Sequence, residues 1–210
     1  MIIAIDGYSA TGKSTLAVLL AKKIGFRHLN SGLIFRAISN NLLINSIDKS
    51  NYQDNSEKVK SLTTQFNIDL ESLEKNIIKL KAPEVSELGT QIAKFPFIRE
   101  RVAEVLRASA QNTNIVVEGR DIGTVLFPNA DIKFFFKADT SIRAERLGRE
   151  RNSTNFDVME KEIETRDRED ETRDISPLKR ADDSIDIDTS FITVSQTLEL
   201  LEHYVNEIKK

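Results

Sequence analysis

Residues 1–16 read MIIAIDGYSATGKSTL, and the order of residue types in them decides the fold. Ile2, Ile3, Ala4 and Ile5 form a short apolar run, which predicts a buried parallel strand. Residues 7–14, GYSATGKS, match G-x-x-x-x-G-K-[ST] in full. Apolar residues at helical spacing then run from Lys13 to Ile24 and stop before Gly25, which suits a helix C-cap. Ordinary residue frequencies would give such a match in roughly one chain of this length in a hundred. The strand before it and the helix after it lower those odds further.

The spacing has a chemical reason. Gly7 and Gly12 let the backbone curl around an anion. The loop N–H groups and the positive end of the following helix then face the phosphates. Tyr8, Ser9, Ala10, Thr11 and Thr15 complete the set expected to contact the triphosphate. Lys13 is expected to reach the β and γ phosphates, and Ser14 to offer its hydroxyl to a bridging Mg²⁺.

Outward from this loop, residues 32–45 predict a second helix, capped by Ser31, and residues 48–56 a polar loop. Residues 67–70 and 76–80 look like two short strands, hence a small hairpin inserted near 66–82. Helical patterns cover 84–94 and 98–111. Residues 114–117 and 132–136 are apolar, β-branched or aromatic and predict buried strands. Charged helices are expected over 141–151 and 157–173, a last strand over 185–187 and an amphipathic helix over 194–208. Strands alternating with helices imply an α/β fold with a parallel sheet.

Bulk properties remove other classes. The 210 residues carry a formal charge of -3, which argues against a nucleic-acid binder. With no cysteine, thiolate catalysis and disulfides are excluded. No run approaches the roughly 20 apolar residues of a membrane helix. The opening apolar stretch is too short for a signal peptide, so a cytoplasmic location is expected. A GTPase should carry an N-K-x-D motif, and the sequence has none.

A kinase for a small molecule needs a second, cationic site where an acceptor oxygen lies in line with the γ-phosphate. Four segments suit one. NSGLIFR, residues 30–36, ends in Arg36, and taken alone it reads first as an ordinary capped helix with a surface Arg. VVEGRDIGT, 116–124, puts Glu118 and Arg120 at the carboxyl end of a strand, where open α/β sheets bind ligands. There Glu118 suits Mg²⁺ held through water, and Arg120 a phosphate gripped bidentately; the alternative is a turn with a local Arg–Asp pair. FPFIRE, 95–100, places Arg99 in a first helical turn, where its charge opposes the dipole. RDREDETRD, 166–174, aligns Arg166, Asp170 and Arg173 on one helical face, which fits either a site or a solvated charged stripe. Arg143, Arg146, Arg149 and Arg151 raise the same pair of readings, a lid or a solvated helix. His28 and His203 read as structural.

In this order and spacing, DGYSATGKST, NSGLIFR, FPFIRE, GRDIGTVLFPNADIKFF and RDREDETRDISPLKRADDSIDIDTS resemble the bacterial-type cytidylate kinases, of the nucleoside monophosphate kinase family. The resemblance covers nearly the whole chain. It implies a five-stranded parallel core, a helical lid near 146–158, and a monophosphate-binding region over about 31–111 with an antiparallel β insert, all in one kinase unit. It also implies phosphoryl transfer from ATP with Mg²⁺ to CMP or dCMP, by a monomer. A kinase for UMP or another monophosphate is the alternative, and a slow nucleotide switch a more distant one. By position, Lys13, Arg120 and Arg166 would carry catalysis, and Arg146 would contact ATP. Arg36, Arg120 and Arg166 would hold the acceptor phosphate. Thr90, Arg99 and Arg173 would read cytosine, while Ser31 and Asp170 face the sugar. Asp121 is expected to orient Arg120. The chain departs from the family at Asn30 (usually Asp), Phe35 (Tyr), Thr90 (Ser), Glu118 (Asp), Lys81 and Leu147 (both often Arg).

Overall fold

A computed structural model describes residues 1–208. In chain order the elements are β1 (Ile2–Gly7), α1 (Lys13–Ile24), β2 (Arg27–Asn30), α2 (Ser31–Ile44), α3 (Ser56–Gln65), α4 (Leu70–Lys75), α5 (Ile77–Leu80), α6 (Pro83–Ile92), α7 (Pro96–Ala110) and β3 (Ile115–Glu118). A single wide π-type turn (Ile122–Leu126) follows, then β4 (Ile132–Lys137), α8 (Thr140–Glu150), α9 (Phe156–Thr172), β5 (Ile185–Asp188) and α10 (Val194–Ile208). The chain divides into two compact units. One consists of Met1–Leu29 and the chain from Asn112 onward; the other is Asn30–Gln111.

The first unit is built on a five-stranded parallel sheet in the order β2-β3-β1-β4-β5. β1 lies at its centre, with Ile5 opposite Glu118 on one side and Phe134 on the other. The chain leaves β1 toward β2 and β3, and later fills the other side with β4 and β5. Such a reversal opens a crevice at the carboxyl ends of the strands. The apolar stripes of α1 and α10 pack Leu16, Leu20, Leu201 and Val205 against Ile3, Ile5, Phe134 and Phe136. Phe134 and Phe136 are fully buried, so truncating either to Ala is expected to cost about 3–5 kcal/mol. α1 ends where Gly25 turns left-handed (φ 72°) and returns its N–H to Ala21 O.

The second unit is helical. α3, α4, α5, α6 and α7 all contact α2. Gly89 on α6 allows a close approach: a Cβ there would stand 3.2 Å from Ser39 Oγ on α2.

Two sequence expectations need correction. The hairpin expected near 66–82 is instead the helical pair α4 and α5. Asp69 caps α4 by accepting from Glu71 N at 3.1 Å. Leu73 and Leu80, seven residues apart, are the buried positions, while Ile78 is 87% exposed. That is helical rather than alternating burial. Second, Asn30 rather than Ser31 caps α2: its Oδ1 accepts from Leu33 N at 3.1 Å, its backbone is still extended, and Ser31 already lies in the helix. β2 and α3 have no clear sequence signal, because four residues carry too little pattern and α3 exposes most of its polar sequence.

Candidate active site

Gly7 closes β1 with φ 138°, and a Cβ there would stand 2.1 Å from Phe136 O. Gly12 turns left-handed (φ 88°) just before α1. Between them Ala10 is also left-handed, at φ 56°. The loop that results is fastened to the sheet by Tyr8 N–H donating to Phe136 O at 3.2 Å. Lys13, in the first turn of α1, bends back so that Nζ donates to Tyr8 O. Its ammonium is held well below the usual lysine range, first by burial and then by the charge of Arg120.

Glu118 ends β3 beside this loop and is buried. Its Oε2 accepts from Ser14 Oγ at 2.7 Å, and its Oε1 lies 3.0 Å from His28 Nε2 on β2. Arg120 follows in the next turn. Its Nε donates to Asp170 Oδ2 at 2.7 Å and its Nη2 to Ser9 Oγ at 3.0 Å. Asp170, on α9, also accepts from Arg173 Nη1 at 2.9 Å. Burial alone would raise the Asp170 carboxyl; Arg120, Arg173 and Arg166 together hold it below the usual range. Arg173 Nη2 is buried without a hydrogen bond, 3.8 Å from Asp121 Oδ1. Arg166 is half-buried on α9, and its positive charge acts on both Lys13 and Asp170. The stripe of α9 is therefore buried or half-buried beside the loop rather than a solvated face.

Three carboxylate and arginine roles emerge only from the structure. Asp167 Oδ1 accepts from Ser9 N at 3.1 Å, and its other oxygen pairs with Arg143, both residues buried. The guanidinium of Arg143 also lies over the Tyr8 ring, 5.4 Å from its centroid. Asp6, one residue before the loop, takes Ile122 N at 2.9 Å and Gly123 N at 2.7 Å. It thereby ties the turn after Arg120 and Asp121 to β1. Burial pushes the Asp6 carboxyl up to about 6 against the pull of those two N–H groups. The available sequence signal is an Asp in an otherwise apolar strand.

Beside the loop lies a cavity of about 320 Å³, lined by Gly12, Thr15, Arg146, Leu147, Thr189 and Ile192 among others. Arg146 donates to Thr189 Oγ1 at 3.0 Å and Thr189 O at 2.6 Å, and Thr189 Oγ1 donates in turn to Thr11 O at 2.9 Å.

Within the helical unit, Ser31 is buried at the start of α2 and Arg36 lies one turn further on. Thr90 on α6 donates its hydroxyl to Ser86 O at 3.2 Å, which leaves the oxygen able to accept. Arg99 on α7 donates Nε to Ala93 O at 2.7 Å, and its guanidinium lies 5.7 Å from the Phe35 centroid. These contacts answer why a cation sits in that first turn.

The family model for cytidylate kinase matches residues 3–209. The chain belongs to the cytidylate kinase family. It is 37% identical to a cytidylate kinase of Thermotoga neapolitana, over 99% of this chain and 98% of that protein. To a cytidylate kinase of Bacteroides fragilis it is 35% identical, over 99% and 97%. A shikimate kinase structure from Bacteroides thetaiotaomicron shares the fold, with TM-score 0.56 at 14% identity over 98% of each chain. The chain is therefore a kinase, and kinases of this kind generally need a divalent cation. The oxygens of Ser14 and Glu118 fit Mg²⁺, which prefers hard oxygen ligands and takes few from protein when phosphates supply the rest. Among the described residues no group of three or more His, Cys, Asp or Glu is placed to hold a metal by protein ligands alone. No helix of the described residues is long and apolar enough to cross a membrane.

Proposed function

We propose that the chain transfers the γ-phosphoryl group of ATP to CMP or dCMP, giving ADP and CDP or dCDP. The observation that carries this reading is the pair Lys13, buried, and Arg120, half-buried, beside one loop, where the charge of Arg120 adds to burial in disfavouring the Lys13 ammonium. Such a positive site is completed by an anion, and a triphosphate meeting a monophosphate supplies it.

In this reading the loop N–H groups and Lys13 hold the β and γ phosphates. The adenine side of ATP enters the cavity beside Arg146 and Thr189. Residues 146–158, at the turn from α8 to α9, act as the lid. Mg²⁺ on Ser14, with Glu118 behind it through water, would supply charge neutralisation between the phosphates.

Arg120 and Arg166 hold the acceptor phosphate, and Arg36 of the helical unit is assigned the same task. An acceptor oxygen attacks the γ-phosphorus, the bond to the β–γ bridging oxygen breaks, and ADP leaves with that electron pair. The attacking oxygen is already anionic at pH 7, so no side chain need remove a proton. Asp170 is assigned to a sugar hydroxyl, and Ser31 to the same region. Arg173 Nη2, a buried donor in want of an acceptor, suits the pyrimidine together with Thr90 and Arg99. Asp121 orients the arginines. The enzyme works as a monomer in the cytoplasm.

ADP release measured across CMP, dCMP, UMP, AMP and GMP tests this. CMP and dCMP should be the preferred acceptors. Turnover indifferent to every monophosphate would overturn the reading.

A further inference from the structure

We propose that His28 is a positioning residue that fixes the carboxylate of Glu118 for the metal-bearing side of the triphosphate site. The proposal rests on the assignment of Ser14 and Glu118 to Mg²⁺.

Glu118 closes β3, and β2 is the next strand in the sheet. His28, midway along β2, is the side chain that the neighbouring strand presents toward it. Along β2 the pattern runs exposed Arg27, half-buried His28, buried Leu29. Arg27 N–H donates to Asn114 O at 3.0 Å, which anchors the strand just before His28. The imidazole is therefore carried on sheet backbone rather than on a loop. Its Nε2 stands 3.0 Å from Glu118 Oε1, with 15% of the His28 side chain and 4% of the Glu118 side chain exposed. A carboxylate oxygen accepts, so the shared proton belongs to Nε2.

A glutamate has three side-chain torsions, and a metal-facing carboxylate must be held in one of their combinations. Ser14 Oγ holds Oε2 at 2.7 Å. That grip is the weaker guide to position, since Ser14 is itself assigned to the metal and its hydroxyl must turn toward the cation when one binds. His28 grips the other oxygen and has no part in the phosphates. It keeps Glu118 in place while the serine changes partner. Groups that orient a metal-facing ligand in this way typically carry tenfold to a hundredfold of metal affinity.

The test is calorimetric. ADP binding is titrated with and without Mg²⁺, and the ratio of the two affinities is the readout. His28→Ala should cut that ratio about tenfold and leave the affinity for metal-free ADP unchanged. His28→Gln, which keeps an N–H donor, should restore most of the ratio and guards against a folding defect. In a Glu118→Asp background the shortened carboxylate withdraws from His28, so His28→Ala should add nothing, and the double-mutant cycle should show the coupling. If Glu118→Ala leaves the Mg²⁺ ratio intact, the metal assignment is wrong and this proposal goes with it. If Glu118→Ala collapses the ratio but His28→Ala, with native thermal stability, does not, the positioning role alone is overturned. It is likewise overturned if His28→Ala costs as much in the Glu118→Asp background as in the native enzyme.

Discussion

The cations of the two units are held in different company. Around the phosphate loop three arginines are met by carboxylates of α9: Asp170 takes Arg120 and Arg173, and Asp167 takes Arg143. In the helical unit Arg99 is steered by neutral groups, the Ala93 carbonyl and the Phe35 ring. Carboxylates fix an arginine tightly and offset its charge, so the loop region is a rigid frame in which charges are set before any phosphate arrives. A carbonyl and an aromatic face fix direction. In the proposed function Arg120, from the first arrangement, holds a phosphate, and Arg99, from the second, reads the edge of a base.

The sharpest way to break this contrast is Lys13→Ala. In the proposed reaction it removes the group assigned to stabilise charge on the transferred phosphoryl, so kcat should fall about a hundred- to a thousandfold while thermal stability stays near native. A near-normal kcat would deny the loop its catalytic part.

Next in size is a stability effect that belongs to the frame itself. The Asp6 carboxyl rises from 3.8 in the unfolded chain to about 6 in the fold. Below the unfolded value both states are protonated and the contribution is complete. As pH climbs through about 6 the folded state must surrender a proton it prefers to keep, and the contribution is lost. The loss is about 3 kcal/mol. Urea unfolding between pH 4 and 7 should show a decline that Asp6→Asn lacks; parallel profiles would refute the assignment.

The helical unit is probed by base selectivity. Cytosine offers an amino donor at position 4 and an acceptor at N3, where uracil offers a carbonyl and an N–H. Arg99 has only donors, and the Thr90 oxygen can accept. Two mismatches of about 1.5–3 kcal/mol each predict a preference for CMP over UMP of roughly a hundredfold or more in kcat/KM. Arg99→Met and Thr90→Ala should each narrow it, and equal use of the two acceptors by the native enzyme would mean that this region does not read the base.

The smallest effect is expected at Asp121, which sits 3.8 Å from Arg173. Loss of a general base costs about a hundredfold or more. Asp121→Asn should cost less than that and preserve the shape of the pH profile. Disappearance of the acid limb, where protonation would silence a base, would make Asp121 a base after all.

The same contrast explains what is readable in the sequence. The loop unit is legible because strand, glycine spacing and helix must occur together, and α1 and α10 span the residues their periodicity marks, Lys13–Ile24 and Val194–Ile208. Residues 67–80 mislead because runs of four to six residues fit either period, and the decision falls to a cap at Asp69 and to burial against α2. Asp167 and Asp6 are hard to single out because their partners, Arg143, Ile122 and Gly123, stand 24 to 117 positions away in the chain. His28 reads as merely structural for a similar reason: Glu118 is 90 positions distant.

The two loop glycines carry different kinds of intolerance. At Gly7 any side chain would begin 2.1 Å from the Phe136 carbonyl oxygen, inside the backbone that pairs β1 with β4. At Gly12 the nearest atom to a new Cβ is Leu16 Cδ1 at 3.8 Å, so only the left-handed backbone resists, at about 1–2 kcal/mol. In a saturation library selected for growth, position 7 should therefore return a single codon family. Position 12 should return a graded spectrum, with asparagine surviving best and aspartate worse, since its charge would oppose the phosphates.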